Sequence, residues 1–136
     1  MKRNLIGLLL MTLASQFLSC SKDPDPINPL LGTWQYSQEI YSDCADPVDN
    51  GTYDFTCNDT DCFKVTFQDQ GKISYQSLVS GVNNTTSGTY KIENSQVTIC
   101  TTGCDNPVGF TVTGNTLSFI RQDNAGCTVT TVLIKI

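Results

Sequence analysis

The chain has 136 residues, a formal net charge of −5 and no histidine, and these values already limit its function. A length of this order fits one domain. Without an imidazole the chain cannot form a Ser-His or Cys-His nucleophile pair, a His-ligated zinc site or a His-ligated haem site. Its 13 Asp and Glu against 8 Lys and Arg also argue against binding nucleic acid, because neutralising phosphates takes clustered basic residues.

Residues 1–19 have the layout of a secretory signal peptide: a basic start, an apolar run and a polar stretch that ends before Cys20. The apolar run is too short for a membrane span, which needs about 20 apolar residues. The ending FLSC at 17–20 resembles the lipobox of bacterial lipoproteins. This resemblance implies cleavage before Cys20 and lipidation of Cys20. Ordinary secretion, with Cys20 as a disulfide cysteine, is the alternative.

Residues 20–28 are predicted to form a flexible tether between the anchor and the folded domain. The segment SKDPDPINP at 21–29 has three prolines in nine residues, which favours an extended chain of about 3 Å per residue. Its Lys followed by Asp23 and Asp25 resembles the signal by which Bacteroidota export lipoproteins to the outer leaflet of the outer membrane. We therefore expect an outer-membrane lipoprotein of the cell envelope, exposed at the surface; a solvated charged linker is the alternative interpretation of this segment.

The cysteine count fits the same compartment. Beyond Cys20 the chain contains six cysteines, which are Cys44, Cys57, Cys62, Cys100, Cys104 and Cys127. An even number in an exported chain of about 100 residues predicts three disulfides, although 15 pairings are open. A thiolate zinc site is the weaker alternative, because an oxidising envelope favours disulfides. No metal and no other cofactor is predicted.

The body of the chain is predicted to be β throughout. Between residues 20 and 136 Val, Ile and Thr total 34, whereas Ala and Glu number two each, so strand formers dominate. Alternation with a period of two marks eight strands, whose apolar positions are Trp34, Tyr36 and Ile40; Phe63, Val65 and Phe67; Ile73, Tyr75 and Val79; Tyr90 and Ile92; Val97 and Ile99; Phe110 and Val112; Leu117 and Phe119; and Val132, Ile134 and Ile136. Turn residues separate most of them, including a predicted turn over 81–88.

Eight short strands with tight turns favour an all-β, antiparallel up-and-down barrel, because closure removes exposed sheet edges. A β-sandwich is the alternative. The segment LGTW at 31–34 resembles the Gly-x-Trp signature of lipocalins, and the segments at 67–75, 87–99 and 112–120 resemble hairpins of the small bacterial lipocalin-like domains found in envelope lipoproteins. The resemblance covers residues 29–136 and implies a calycin-type barrel, in which Gly32 and Trp34 close one end.

Strand parity predicts where the cysteines lie. In an up-and-down barrel the first, third, fifth and seventh connections share one rim, and all six cysteines fall in or beside such connections. That rim is opposite Gly32 and Trp34, and the resemblance makes it the open mouth of the barrel. The loop 42–61 is expected to cover this mouth as a lid fastened by disulfides.

Binding without catalysis is the predicted function. The aromatic side chains predicted to point inward and contact a small apolar ligand are Tyr36, Phe67, Tyr75, Tyr90, Phe110 and Phe119; core packing is the alternative for all six. The acidic loop 42–61 fits no EF-hand, and nothing places two carboxylates on rigid elements facing a cleft. Expected partners are the membrane, through the anchor, and a small apolar ligand or an envelope protein. The competing hypothesis is a structural or interaction module, including an enzyme inhibitor, that has a filled barrel and uses its rim loops.

Overall fold

The structure, a computed structural model, describes residues 27–136. The signal peptide, Cys20 and most of the tether lie outside these residues. Over the described residues no helix is long and apolar enough to cross a membrane. The strands are β1 (Gly32–Ser42), β2 (Gly51–Asp54), β3 (Cys62–Gln68), β4 (Lys72–Val79), β5 (Val82–Glu93), β6 (Gln96–Cys100), β7 (Val108–Thr113), β8 (Thr116–Gln122) and β9 (Thr128–Lys135).

The strands form a closed antiparallel barrel. From β3 to β9 each strand pairs with the next in the sequence, β3 pairs with β1, and β9 returns to pair with β1 along nearly its whole length. Leaving β2 aside, these are the eight strands of an up-and-down barrel, as predicted, and the β-sandwich alternative is wrong. Closure leaves the barrel strands few free edges, which is the physical advantage of this architecture.

The predicted turn over 81–88 is wrong. Val79 pairs with Val82, so the turn is only Ser80 and Gly81, whose φ angles of 51° and 79° suit a two-residue hairpin turn. β5 then runs for 12 residues. Its first part, NNTTS at 83–87, shows no alternation because its side chains are exposed on both faces of the strand.

Two strands face the interior differently from the predicted alternation. In β9 the buried residues are Val129, Thr131 and Leu133, so the predicted set of Val132, Ile134 and Ile136 lies on the opposite parity and is wrong. In β1 the pairing register with β9 shifts between Tyr36 and Gln38. Such a bulge reverses the faces of the residues that follow it, which moves Ile40 off the inner face and turns Glu39 and Tyr41 inward.

The core fills the end of the barrel where β1 begins and β9 ends, which we call the closed end. Its buried side chains, the closed-end core, are Leu30, Trp34, Val65, Phe67, Ile73, Tyr90, Val97, Leu117 and Leu133. Trp34 is fully buried, and its Nε1 donates a 2.7 Å hydrogen bond to the carbonyl of Leu30. Gly32 has a φ of +119°, and a Cβ there would overlap the Lys135 side chain, whose Nζ lies 5.1 Å from the Trp34 ring centre.

The N-terminal segment joins the barrel at the closed end. The Asn28 side chain accepts a 3.0 Å hydrogen bond from the Leu30 N–H and donates to the Tyr90 hydroxyl. That hydroxyl donates in turn to the carbonyl of Gln68 at 3.0 Å. These bonds satisfy the polar tip of Tyr90, a largely buried side chain that would otherwise be costly to bury. The predicted tether therefore meets the domain on the side away from the open end.

The six cysteines form three disulfides at the opposite rim, which we call the open end. The pairs are Cys44–Cys127, Cys57–Cys62 and Cys100–Cys104. The first joins the end of β1 to the start of β9, and the other two close short loops before β3 and after β6. Because all six are paired, they form the predicted disulfides and not the thiolate ligands of the zinc alternative. Within residues 27–136 no group of His, Cys, Asp and Glu is arranged to hold a metal ion.

The segment 42–61 is not a free lid. It contains a short 3-10 turn at Pro47–Asp49 and then β2, which pairs with residues 38–41 of β1. This pairing is available because β3 covers only residues 32–35 of the same edge of β1. Four residues of the predicted lid, Gly51–Asp54, therefore form an added strand at the side of the open end, and two disulfides fasten the segment, as predicted.

Candidate functional site at the open end

The six aromatic residues predicted to contact a ligand lie at two levels of the barrel. Phe67 and Tyr90 belong to the closed-end core, and their rings meet edge to face with centres 5.0 Å apart. The other four are only partly buried and pack against that core from the open side. They come from β1, β4, β7 and β8, and we call them the aromatic layer: Tyr36, Tyr75, Phe110 and Phe119.

Phe55 and Phe63, which were not predicted to contact a ligand, extend the aromatic layer toward the rim. Tyr36, Phe55 and Phe63 form a triangle of edge-to-face contacts with ring centres 6.3 to 6.4 Å apart. Phe55 follows β2 and is fixed by a 2.8 Å hydrogen bond from its N–H to the carbonyl of Ser37. Because β1 and β3 stop pairing beyond Gln35, its ring stands beside the place where these strands separate.

A polar cluster lies on the inner face beyond the aromatic layer. Arg121 of β8 and Glu39 of β1 form an ion pair with an N–O distance of 3.6 Å. The Glu39 carboxylate also accepts hydrogen bonds from the Tyr41 hydroxyl at 3.1 Å and the Thr131 hydroxyl at 3.3 Å. The Arg121 side chain is 44% exposed and that of Glu39 is 22% exposed, so solvent or a ligand can reach the arginine. Sequence reasoning missed this cluster because the bulge in β1 reverses the parity of Glu39.

Three tyrosine hydroxyls of the open end, those of Tyr36, Tyr41 and Tyr75, are held in the neutral form. Burial raises the pKa of Tyr36 and Tyr75, and the Glu39 carboxylate raises the pKa of Tyr36 further. The same carboxylate, through its charge and its hydrogen bond, raises the pKa of Tyr41. At neutral pH these three groups are therefore uncharged hydroxyls that can donate or accept a hydrogen bond.

Alkaline pH should destabilise the fold through these groups. Their folded pKa values lie above the value of about 10 for an unfolded tyrosine, so the unfolded chain loses protons first. The free energy of unfolding should be unaffected by them below about pH 10 and should fall as the pH rises above it. Urea unfolding at pH 9 and pH 11, with tyrosinate absorbance followed at 295 nm, measures this loss. Tyr75→Phe should reduce the loss, and an equal loss in that variant would contradict the assignment.

Two surface clefts flank the open end. One, of about 270 Å³, lies beside the Cys57–Cys62 loop between Asp59 and Asn83. The other, of about 450 Å³, lies near the Cys44–Cys127 disulfide, between Tyr53 and Asp123. Polar and acidic residues line both clefts to a large extent, so they differ from the aromatic interior. The rim thus offers polar surfaces in addition to the inner aromatic layer.

Comparison with known proteins agrees with this geometry. The family profile described as the lipocalin-like domain matches residues 30–119. The crystal structure of a lipocalin-like protein from Bacteroides uniformis ATCC 8492 is similar, with a TM-score of 0.60 and 16% sequence identity, over 80% of this chain and 100% of that chain. A search of curated proteins found no match. The closed eight-stranded barrel and the family match together show that the chain belongs to the lipocalin-like domain family.

Proposed function

We propose that this protein is a lipid-anchored envelope lipoprotein that binds a small apolar ligand at the open end of its barrel and catalyses no reaction. Lipocalin-like barrels are in general folds that bind small ligands rather than enzymes, and an eight-stranded barrel has room for one small ligand or for side chains alone. The observation that carries the proposal is the difference in burial between the filled closed-end core and the half-buried aromatic layer.

Half-buried rings favour an apolar ligand. Covering exposed apolar surface contributes roughly 25 cal/mol per Å², and the four side chains of the aromatic layer are only partly buried. The Glu39–Arg121 cluster and the neutral tyrosine hydroxyls add a few polar groups that would orient the ligand. Apolar walls with a few fixed polar groups are typical of small-molecule sites.

A fluorescent hydrophobic dye tests this site on the oxidised protein. We expect saturable binding of one dye per chain and weaker binding to Tyr75→Ala, because Tyr75 belongs to the aromatic layer. Val82→Ala is the matched control, since Val82 is the first residue of β5 and is 60% exposed. Circular dichroism must first show that each variant is folded. Dye binding that is absent in the wild type, or unchanged in Tyr75→Ala, would refute the proposal.

The second candidate function is an interaction module that uses the rim. It is favoured by the filled closed end and by the clefts outside the barrel, both of which lie beside loops fixed by disulfides. In this case the loops would bind an envelope protein, and inhibition of an enzyme is one form that such binding could take. Failure of the dye test would favour this candidate.

The lipid anchor is tested separately. Lipidation of Cys20 should hold the mature protein at the membrane, because more than one acyl chain gives stable anchoring. Cys20→Ala should therefore move the protein from the outer-membrane fraction to the soluble periplasmic fraction. Ser21→Ala is the matched control and should stay in the membrane fraction. A Cys20→Ala variant that fractionates like the wild type would show that the anchor is absent.

A further inference from the structure

The N-terminal segment leaves the barrel at the closed end, and this determines which part of the domain stays near the proposed anchor. Leu30 is fully buried, and Asn28 is held by its hydrogen bonds with the Leu30 N–H and the Tyr90 hydroxyl. Seven residue steps separate Cys20 from Ile27, and they span about 25 Å at most. Strand β1 alone, with 11 residues, is about 35 Å long. In every orientation of the domain, therefore, the closed end remains within reach of a membrane that holds Cys20.

The closed end exposes apolar side chains beside the point where the tether joins. Ile27 is 92% exposed and Ile136 is 62% exposed, and the Ile136 N–H donates a 3.0 Å hydrogen bond to the carbonyl of Thr33. A cleft of about 430 Å³ adjoins Ile27, with Pro29 and Ile92 among its lining residues. Removing such apolar surface from water is favourable. In this respect the closed end differs from the polar clefts at the open end.

Charge is distributed unevenly between the two ends of the barrel. Three exposed lysines, Lys72, Lys91 and Lys135, surround the closed end, where the acidic residues are Asp69 and Glu93. Lys91 and Glu93 form an ion pair at 2.7 Å, so the charge of the closed end is nearly balanced. The charged residues toward the open end are the basic Lys64 and Arg121 and the acidic Glu39, Asp43, Asp46, Asp49, Asp54, Asp59, Asp61, Asp105 and Asp123.

This distribution selects the end that can approach a membrane. A surface of anionic lipids attracts basic side chains and repels carboxylates within about 10 Å. Repulsion therefore opposes contact between the open end and such a surface, whereas the lysines of the closed end can reach lipid phosphates. Their long apolar stems can also cover the neighbouring isoleucines while the ammonium groups stay among the headgroups.

We propose that the closed end of the barrel is a surface that docks on the membrane, so that the open end faces away from the bilayer. Ile27 and Ile136 enter the headgroup region, and the three lysines contact lipid phosphates. This inference rests on the lipid anchor of the proposed function. A partner protein could cover the same isoleucines, but the short tether holds this end beside the bilayer at a high effective concentration, which favours the membrane as the occupant.

Energy transfer in vesicles of phosphatidylethanolamine and phosphatidylglycerol tests the docking on the full lipidated chain. The donor fluorophore is attached to Asn115→Cys, in the turn between β7 and β8 at the closed end, or to Asn106→Cys, in the loop after β6 at the open end. The acceptor is attached to lipid headgroups. Transfer should be more efficient from residue 115 than from residue 106, and the reverse order would overturn the proposal.

A longer tether separates docking from simple tethering. A flexible insert of about ten residues after Pro26 adds up to about 35 Å of reach. Transfer from residue 115 should be unchanged by this insert, because the closed end itself binds the lipid surface. A domain held only by its tether would move away from the surface and lose transfer, which would overturn the docking while leaving the anchor in place. A chain that does not associate with the vesicles would refute the anchor and the docking with it.

Two matched charge reversals in the chain with the longer tether test the contact with lipid phosphates. Lys72→Glu should lower the ratio of docked to undocked domains at least fivefold, because each basic residue near an anionic surface strengthens binding by about that factor. Lys64→Glu is the control, since Lys64 lines the cleft beside the Cys57–Cys62 loop at the open end, and it should dock as the parent chain does. Circular dichroism must show that both variants are folded. Equal effects of the two reversals would contradict docking through the closed end.

Discussion

Removal of the Cys44–Cys127 disulfide is expected to lower the free energy of unfolding by about 4 to 5 kcal/mol. The bond joins residues 83 positions apart, and a cross-link of that span removes much of the conformational freedom of the unfolded chain. It also ties the end of β1 to the start of β9, the two strands whose pairing closes the barrel. Urea unfolding of the double variant Cys44→Ala/Cys127→Ala measures the loss.

The matched control is Cys100→Ala/Cys104→Ala. It also removes two sulfur atoms, but these cysteines are only 4 positions apart. The expected loss in the free energy of unfolding is therefore about 2 kcal/mol. Peptide mapping of the wild type should give the same three pairs as the structure, with no free thiol among the six. Equal losses in the two double variants would contradict the dependence on loop length and would point to strain or packing instead.

The barrel was predictable from the sequence because most of its strands have one buried and one exposed face. In β3 the alternation of Val65 and Phe67 with polar neighbours follows directly from the filled interior. The short turns then set the parity of the connections, and parity placed the six cysteines at one end. Both inferences depend only on neighbouring residues in the chain, and for this reason they succeed without knowledge of the packing.

The errors occurred where tertiary contacts determine the local conformation. The bulge between Tyr36 and Gln38 depends on the pairing of β1 with β9, and no residue in that stretch marks it. The first half of β5 has no buried face, so its strand conformation comes from pairing with β4 and leaves no alternation in the sequence. Phe55 lies in an acidic loop, and only the separation of β1 from β3 makes room for its ring.

The candidate site was predictable only in part for the same reason. Alternation put all six aromatic residues on the inner face, but it could not rank them by depth along the barrel axis. Depth depends on how far the closed-end core extends, and that is set by the packing of Trp34 and its neighbours. Phe67 therefore belongs to the core and Phe110 to the aromatic layer, although both occupy similar positions in the alternating pattern.

Comparison of Phe67→Ala with Phe110→Ala should separate these two roles. Phe67 is 1% exposed and contacts the rings of Tyr90 and Phe119, so its truncation leaves a cavity and should cost roughly 3 to 5 kcal/mol. Phe110 is only partly buried, and its truncation should cost about 1 to 2 kcal/mol, because less apolar surface leaves its buried environment. Urea unfolding of the two variants, which lose identical atoms, measures the difference.

Dye binding should rank the same two variants in the opposite order. Phe110→Ala removes part of the aromatic layer, so a hydrophobic dye should bind it at least several-fold more weakly than the wild type. Phe67→Ala removes a contact of Phe119 but keeps all four side chains of that layer, so at a temperature where it is folded it should bind the dye nearly as the wild type does. The two measurements together distinguish a side chain that stabilises the barrel from one that is available to a ligand. If Phe67→Ala loses more dye affinity than Phe110→Ala while remaining folded, the dye reaches the closed end. Phe67 would then belong to the binding site and not to the core alone.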